Sequence, residues 1–284
     1  MPPVATRNEN SETGICFQPA GTHFARAMPT RVYVVQHDIA WEDKAANFAK
    51  VARLLDAAKP CPGSLIVLAE MFATGFSKHL PKTLDSEERE TEVFLRKIAA
   101  QYDCCVIGGL VNPGPHGKGR NEALAIAPDG RELARYVKMQ PFTGGGEHIV
   151  HEAGTGVTTF EWQGFKVAPL ICYDLRFPEL AREAAAQGAD LLVYIASWPI
   201  KRAQHWVTLL QARAIENLAW VVGANRCGTD PDFTYPGRSL VVDPHGVIIA
   251  DAADREGVLE TLLDLNVVTK WRSEFPALKD AGLT

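Results

Sequence analysis

Residues 165–180 read FKVAPLICYDLRFPEL and combine an apolar strand, a cysteine and the start of a helix. The run before Cys172 is almost wholly apolar, as expected of a strand buried in a sheet. Helical periodicity begins near Phe177 and continues to Gln187. Ligands of layered α/β proteins tend to bind beyond the carboxyl ends of strands. This strand–turn–helix unit therefore places the Cys172 thiol at a position where a ligand is expected to bind.

The same alternation of strands and helices extends outward in both directions. Strands are predicted for 31–37, 64–70, 104–111, 190–197, 218–225 and 258–265, and helices for 43–58, 86–101, 177–187 and 201–217. Turn residues join further strands into hairpins at 121–138, 158–174 and 239–251. The tail from Asn266 is expected to be irregular. Helices interleaved with hairpins predict an α/β (α+β) layered protein with a mixed sheet.

Composition and charge exclude several classes of protein. The 284 residues are 46% hydrophobic and 22% charged, which is typical of a globular chain and not of a disordered one. The net charge is −5 with both signs interspersed. A nucleic-acid groove needs a concentrated positive field, and no apolar run approaches the roughly 18 residues of a membrane span. We therefore expect neither nucleic acid nor a membrane as a partner.

The six cysteines are dispersed and form no CxxC pair. That spacing is typical of reduced thiols in a cytoplasmic protein and not of a disulfide framework. Cys104 and Cys105 are adjacent, so on a strand their side chains should face opposite sides of the sheet. The string HIVHE at 148–152 lacks a third ligand with clear spacing, and we expect no metal site.

The first thirty residues differ from the rest of the chain. Residues 1–30 are polar, rich in proline, threonine and asparagine, and without periodicity, and they lack the apolar core of a secretory signal. We interpret 1–30 as a flexible extension. Met28 lies just before the first predicted strand and is a candidate natural start of translation. No Pro/Gly/Ser-rich linker divides 31–284, which we interpret as one domain.

Three polar residues end predicted strands: Glu70, Lys138 and Cys172. A thiol with a pKa near 8.5 is mostly protonated at neutral pH, so a nucleophilic cysteine needs a base such as a nearby carboxylate. A lysine ammonium can stabilise the thiolate and then an oxyanion, with the backbone N–H of Tyr173 as a second donor. Taken singly, each residue is more often structural. A glutamate such as Glu70 is usually a solvated strand end, a lysine such as Lys138 a surface charge, and a cysteine such as Cys172 an inert core thiol.

The flanking residues decide between these interpretations. LIVLAEMFATGF (65–76), RYVKMQPF (135–142) and LICYDLRFPEL (170–180) resemble the three signatures of the nitrilase superfamily, the carbon–nitrogen hydrolases, in the same order. ASWP (196–199), RAIEN (213–217) and GRSLVVDPHG (237–246) extend the resemblance, which covers about residues 31–265.

The resemblance implies a fold, a chemistry and a set of roles. The fold is a four-layer α-β-β-α sandwich that commonly forms homodimers or higher homo-oligomers, and no cofactor is implied. Cys172 is the nucleophile that forms a thioester, Glu70 the base and Lys138 the oxyanion stabiliser. Glu147, in TGGGEH, matches a second glutamate that positions the substrate.

The CYDLRFPE and ASWP segments look most like the ω-amidase branch, which removes the terminal amide of compounds such as α-ketoglutaramate. Arg176 could hold a substrate carboxylate through its guanidinium, or it could pair with Glu179 or Glu216. Trp198 and Tyr173 could line the pocket or pack in the core.

Other functions stay open at this point. Gln140 stands where many ω-amidases have an imidazole, and the glycine-rich loop after it differs as well. N-carbamoyl amide hydrolases and deaminated-glutathione-type amidases are therefore alternatives. A member of the fold that binds a small acid without catalysis is another.

Overall fold

The structure, a computed structural model, describes residues 29–283. The predicted extension 1–30 and Met28 therefore lie outside the described residues, apart from Pro29 and Thr30. Within the described range no helix is long and apolar enough to cross a membrane.

Two six-stranded mixed sheets form the centre of the protein. The first contains β1 (Thr30–Gln36), β2 (Leu65–Val67), β3 (Cys105–Pro113), β4 (Gly119–Ile126), β5 (Glu132–Val137) and β14 (Gly257–Leu263). The second contains β6 (Phe160–Trp162), β7 (Phe165–Ile171), β8 (Leu191–Ala196), β9 (Trp220–Asn225), β12 (Leu240–Val242) and β13 (Ile248–Asp251). A separate short hairpin consists of β10 (Cys227–Thr229) and β11 (Thr234–Pro236).

The two sheets repeat one pattern of strand pairing. In the first, β1, β2 and β3 are parallel neighbours, and β4 and β5 continue the sheet antiparallel. In the second, β7, β8 and β9 are parallel, and β12 and β13 follow antiparallel. The edge strands β14 and β6 also pair antiparallel, with β1 and β7. The chain thus builds the same unit twice, although the sequence carries no visible residue-level repeat.

Helices cover the outer faces of both sheets: α1 (Lys44–Ala58) and α3 (Glu90–Tyr102) pack on the first, and α5 (Pro178–Ala186) and α6 (Ala203–Asn217) on the second. The other helices are α2 (Leu80–Thr83), α4 (Glu147–Val150), α7 (Leu265–Glu274) and α8 (Ala277–Asp280). In β1, Val32 and Val34 join the core that both sheets share, whereas Tyr33 and Val35 pack toward α1 and α3. The α-β-β-α order confirms the predicted four-layer sandwich.

The adjacent cysteines divide between the two cores, as predicted. Cys105 lies in the core between the sheets, and Cys104 lies in the core under α1 and α3. Burial raises the pKa of Cys104 to about 11 and raises that of Cys105 further. Both thiols are therefore neutral packing residues at physiological pH.

The predicted irregular tail is wrong, because residues from Leu265 onward form α7 and then α8. Asp264 caps α7 by accepting a hydrogen bond from the backbone N–H of Asn266 at 2.9 Å, and Val268 is fully buried. Arg272 donates to the Asp190 carboxylate at 2.8 Å and to the Ala189 carbonyl at 2.6 Å. Such contacts join α7 to residues far along the chain, so they produce no helical periodicity within the tail itself. The sequence therefore shows no sign of this helix.

We predict that Gly109→Ala destabilises the fold around the turn that follows β2. A Cβ at position 109 would lie 2.5 Å from the Met71 backbone nitrogen and 2.7 Å from Glu70 Cα. Overpacking against backbone costs about 1–3 kcal/mol of unfolding free energy, which urea denaturation measures. Gly257→Ala is the matched control, since a Cβ there meets nothing within 4 Å. Equal stabilities of the two variants would refute the prediction.

Candidate active site

Cys172 occupies a strained backbone position at the end of β7. Its φ is +46°, in the left-handed region that non-glycine residues rarely adopt. Asp174 holds the turn, because one carboxylate oxygen accepts the Ile171 N–H at 3.0 Å and the Tyr136 hydroxyl at 2.7 Å. The other oxygen accepts the Gln140 N–H at 2.9 Å. Asp174 therefore connects the cysteine turn to the segment that carries Lys138.

Burial raises the pKa of Asp174 to about 7. The carboxylate lies among three hydrogen-bond donors but has no cation within salt-bridge distance in the part of the chain that the structure describes. It is thus a structural anchor and not a charge partner of the thiol.

Glu70 lies three residues beyond β2, where the predicted strand 64–70 has already left the sheet. Its carboxylate is completely buried. One oxygen accepts the Lys138 ammonium at 2.9 Å, and the other accepts the backbone N–H of Ser197 at 2.9 Å. Because Ser197 directly follows β8, Glu70 joins the two sheets at the carboxyl ends of their parallel strands.

The Lys138 ammonium lies between two buried carboxylates. It donates to Glu70 at 2.9 Å and to Glu147 at 2.8 Å, and all three side chains are at most 1% exposed. Burial alone would lower the pKa of Lys138, but the charges of Glu147 and Glu70 outweigh it and raise that pKa well above the ordinary value. Burial would raise the pKa of Glu147, yet Lys138 holds it below the usual range. Lys138 and Glu147 therefore form a charged pair at rest.

Asn121 is a member of this cluster that sequence reasoning missed. It lies on β4, and its amide nitrogen donates to Glu70 at 2.8 Å and to Glu147 at 2.9 Å. The backbone N–H of Lys138 donates to the Asn121 carbonyl at 2.9 Å, which fixes the two residues side by side. The available signal was the pair of polar residues, Asn121 and Glu122, that precedes the apolar run ALAIA.

The Cys172 thiol belongs to the same electrostatic cluster. Burial raises its pKa well above the ordinary value, the charge of Glu70 raises it further, and the Lys138 charge opposes both. The thiol is therefore protonated at rest, and a nucleophile at this position requires a base. The structure thus brings Cys172, Glu70 and Lys138 into one cluster.

A pocket of about 370 Å³ opens from Cys172 and Lys138. Three of the four predicted substrate-binding residues line it: Tyr173, Arg176 and Trp198. Glu147 does not, because it is fully buried beside Lys138 and accepts the backbone N–H of Phe142 at 2.6 Å. Any effect of Glu147 on a ligand must therefore pass through Lys138 or the Phe142 loop. That loop contains a 3₁₀ turn, Thr143–Gly145, followed by α4.

Arg176 pairs with neither of the two acids that the sequence offered. Its guanidinium lies over the Trp198 ring, 4.8 Å from the centroid, and Nη2 is 3.1 Å from His205 Nδ1. Glu216 instead accepts a hydrogen bond from Arg213, one turn earlier on α6, at 2.9 Å. Arg176 therefore faces the pocket without an acidic partner among the described residues.

The β10–β11 hairpin forms another wall that the sequence did not indicate. Asp230, Phe233 and Tyr235 line the pocket. The buried Arg226 fixes the hairpin by donating to the Thr229 carbonyl at 2.9 Å and by stacking on Tyr235, 4.3 Å from the centroid. The hairpin belongs to neither large sheet. Backbone contacts also help to place it over the pocket, because the Cys227 N–H donates to the His37 carbonyl at 3.2 Å.

The HIVHE string forms no metal centre in the described range, where no group of three or more His, Cys, Asp or Glu side chains could hold a metal ion. His151 is buried with both ring nitrogens unpartnered, 3.8 Å from Glu147. Burial lowers its pKa, so the imidazole is neutral.

Comparison with known proteins gives consistent matches over most of the chain. The family model for carbon-nitrogen hydrolases matches residues 31–273. The chain is 38% identical to an omega-amidase, YafV, of Yersinia enterocolitica, covering 88% of this chain and 96% of that protein. It is 31% identical to a 2-oxoglutaramate amidase of Bacillus subtilis, covering 89% and 98%. The crystal structure of XC1258 from Xanthomonas campestris, a CN-hydrolase superfamily protein, aligns with a TM-score of 0.83 at 33% identity, covering 89% of this chain and 97% of that chain.

We predict that Asn121→Leu lowers the free energy of unfolding by about 3 kcal/mol or more. The substitution removes two hydrogen bonds to buried carboxylates, each of which contributes about 1.5–3 kcal/mol. Asn112→Leu is the matched control, since Asn112 makes one such bond, to Glu122 at 2.8 Å. Urea denaturation measures both. A loss at Asn121 no larger than that at Asn112 would contradict the shared bridging role.

Proposed function

The chain belongs to the carbon-nitrogen hydrolase family and is an amidase, and on that premise we propose that it releases ammonia from the terminal amide of a small carboxylate-bearing substrate. Relatives named omega-amidase and 2-oxoglutaramate amidase support an ω-amide such as 2-oxoglutaramate. The observation that carries the proposal is the Cys172 thiol beside a buried Glu70–Lys138–Glu147 cluster, at one end of a pocket that Arg176 also lines.

In the first half of the reaction, Glu70 accepts the proton of the Cys172 thiol while the sulfur attacks the amide carbon. The carbonyl oxygen becomes an oxyanion, which the Lys138 ammonium and the backbone N–H of Tyr173 stabilise. Glu70 then passes its proton to the amide nitrogen. The C–N bond breaks, ammonia leaves, and Cys172 carries the acyl group as a thioester.

In the second half, Glu70 takes a proton from a water molecule that attacks the thioester carbon. The tetrahedral intermediate uses the same oxyanion donors. Its collapse breaks the C–S bond, the proton returns from Glu70 to the sulfur, and the carboxylic acid leaves. The Ser197 N–H keeps Glu70 aligned through both halves because it bonds the carboxylate oxygen that Lys138 does not contact.

The pocket walls support a short, flat substrate with a negative charge at its far end. The rings of Phe142 and Tyr173 pack 5.0 Å apart, and Trp198 forms a further aromatic wall. In the proposed complex, Arg176 binds the substrate carboxylate through charge-assisted hydrogen bonds. Glu147 acts indirectly, by holding Lys138 and the Phe142 loop in place.

We further propose that the protein is a homodimer and that it is located in the cytoplasm. The helix α6 exposes Ile215 beside the β12–β13 turn, where Val247 and Ile249 are also exposed. An apolar patch on a helix that follows the nucleophile supports pairing of two copies. Sedimentation velocity of the full chain tests this.

We predict that Cys172→Ala abolishes ammonia release from 2-oxoglutaramate, because no thioester can form. Cys61→Ala, a half-buried cysteine outside the pocket lining, is the matched control and should keep wild-type turnover. Circular dichroism checks that both variants are folded. Undiminished turnover by Cys172→Ala would refute the mechanism.

We predict that Glu70→Gln slows turnover by at least ~10²-fold, the effect of losing a general base. A glutamine has the shape of the glutamate but cannot accept the thiol proton. Glu132→Gln, an exposed carboxylate on β5, is the control. A rate within a few-fold of wild type would reject Glu70 as the base, whatever the substrate.

A further inference from the structure

Two guanidiniums from different parts of the chain line the pocket. Arg176 comes from the 3₁₀ turn that begins at Cys172, and Arg202 comes from a second 3₁₀ turn, Ile200–Arg202, just before α6. Among residues 29–283, neither has a carboxylate oxygen within the 4.0 Å of a salt bridge. Both guanidiniums are therefore pocket-wall cations without a carboxylate partner among the described residues, and the ammonium of Lys78, which also lines the pocket, is a third.

Aromatic rings hold both guanidiniums at the pocket wall. Arg202 lies over the Phe142 ring, 5.3 Å from its centroid, and Arg176 lies over Trp198 at 4.8 Å and near Tyr173 at 6.0 Å. Trp198 also donates its indole N–H to the Arg202 backbone carbonyl at 2.8 Å. Stacking of this kind restricts a guanidinium while leaving its N–H donors available.

The two cations act on each other. Burial lowers the pKa of Arg176, and the nearby charge of Arg202 lowers it further. Two like charges in a partly buried site oppose folding unless an anion binds between them. A bound carboxylate would relieve the repulsion and accept several charge-assisted hydrogen bonds.

The acidic residues that line the pocket do not bind between Arg176 and Arg202. Asp230 is engaged on its own hairpin, where it accepts the Tyr235 hydroxyl and lies 3.8 Å from Arg226. Asp232 is exposed at the rim and has no salt bridge to either arginine. The anion that fits between Arg176 and Arg202 must therefore come from the ligand.

We infer that Arg202 is a second carboxylate ligand, and that Arg176 and Arg202 together select ω-amides bearing a carboxylate over neutral amides of the same length. The inference rests on the proposed function, since it places the amide of the same molecule at Cys172. It adds a specificity residue that lies between the motifs ASWP (196–199) and RAIEN (213–217) and in neither of them.

The test compares two substrates that differ only at the far end: 2-oxoglutaramate, and 4-oxopentanamide, in which a methyl group replaces the carboxylate. For Arg202→Gln we expect kcat/KM for 2-oxoglutaramate to fall by ~10- to 100-fold, the effect of losing a hydrogen bond to a charged group. The value for 4-oxopentanamide should stay within about threefold of wild type. Arg202→Lys should recover part of the loss, because it restores the charge without the planar fork.

Lys201→Gln is the matched control, because Lys201 is the adjacent cation, is exposed and does not line the pocket of Cys172. It should leave both substrates unchanged within about twofold. An equal loss on both substrates in Arg202→Gln would overturn the inference, since it would indicate a change of pocket shape. Unchanged kinetics on 2-oxoglutaramate would overturn it as well.

A binding measurement separates this inference from the proposed function. The rate at which iodoacetamide alkylates Cys172 is followed with and without 2-oxoglutarate, a dicarboxylate of the same length as the amide substrate. Protection of the wild type that Arg202→Gln loses supports the inference even if the wild type releases no ammonia, an outcome that would refute the proposed function alone. Equal protection of both proteins would refute the inference alone.

Discussion

One buried ammonium, that of Lys138, pairs with carboxylates from two different parts of the chain. Glu70 lies in the turn after β2, and Glu147 lies in the segment after β5. Both side chains are fully buried. Removing one partner of a buried ion pair costs about 3–5 kcal/mol because it leaves a charge without compensation. Loss of either carboxylate or of the ammonium would therefore destabilise the turns around the site. Asn121, which bonds both carboxylates, completes the arrangement.

The cluster carries two negative charges and one positive charge, and this imbalance suits the proposed chemistry. When Glu70 accepts the thiol proton, negative charge moves from its carboxylate toward the sulfur and then onto the oxyanion, while Lys138 stays within reach of each location. The total charge of the site does not change. Fixed donors stabilise the charge wherever it lies, so little reorganisation of solvent is needed during the reaction.

Much of the fold followed from local patterns, and the exceptions share a physical cause. Apolar strands, the opposite faces of Cys104 and Cys105, and the place of Cys172 directly after β7 are all consequences of nearby sequence. Asn121 and Arg202 are not, because their importance comes from residues far along the chain that folding brings beside them. The same holds for α7, whose Arg272 anchors to distant residues. Sequence periodicity indicates which face of a helix or strand is buried, but it does not indicate which distant residues that helix or strand contacts.

The backbone at Cys172 has a further consequence. A left-handed conformation costs a residue with a Cβ roughly 1–2 kcal/mol, a cost that glycine avoids. Here a cysteine occupies this position, at the end of a strand whose other residues pack without strain. At this one residue, stability of the fold favours glycine, whereas reactivity requires cysteine. Selection for thermal stability alone would favour the loss of the side chain at that position, so its retention among relatives of this chain would measure selection for turnover.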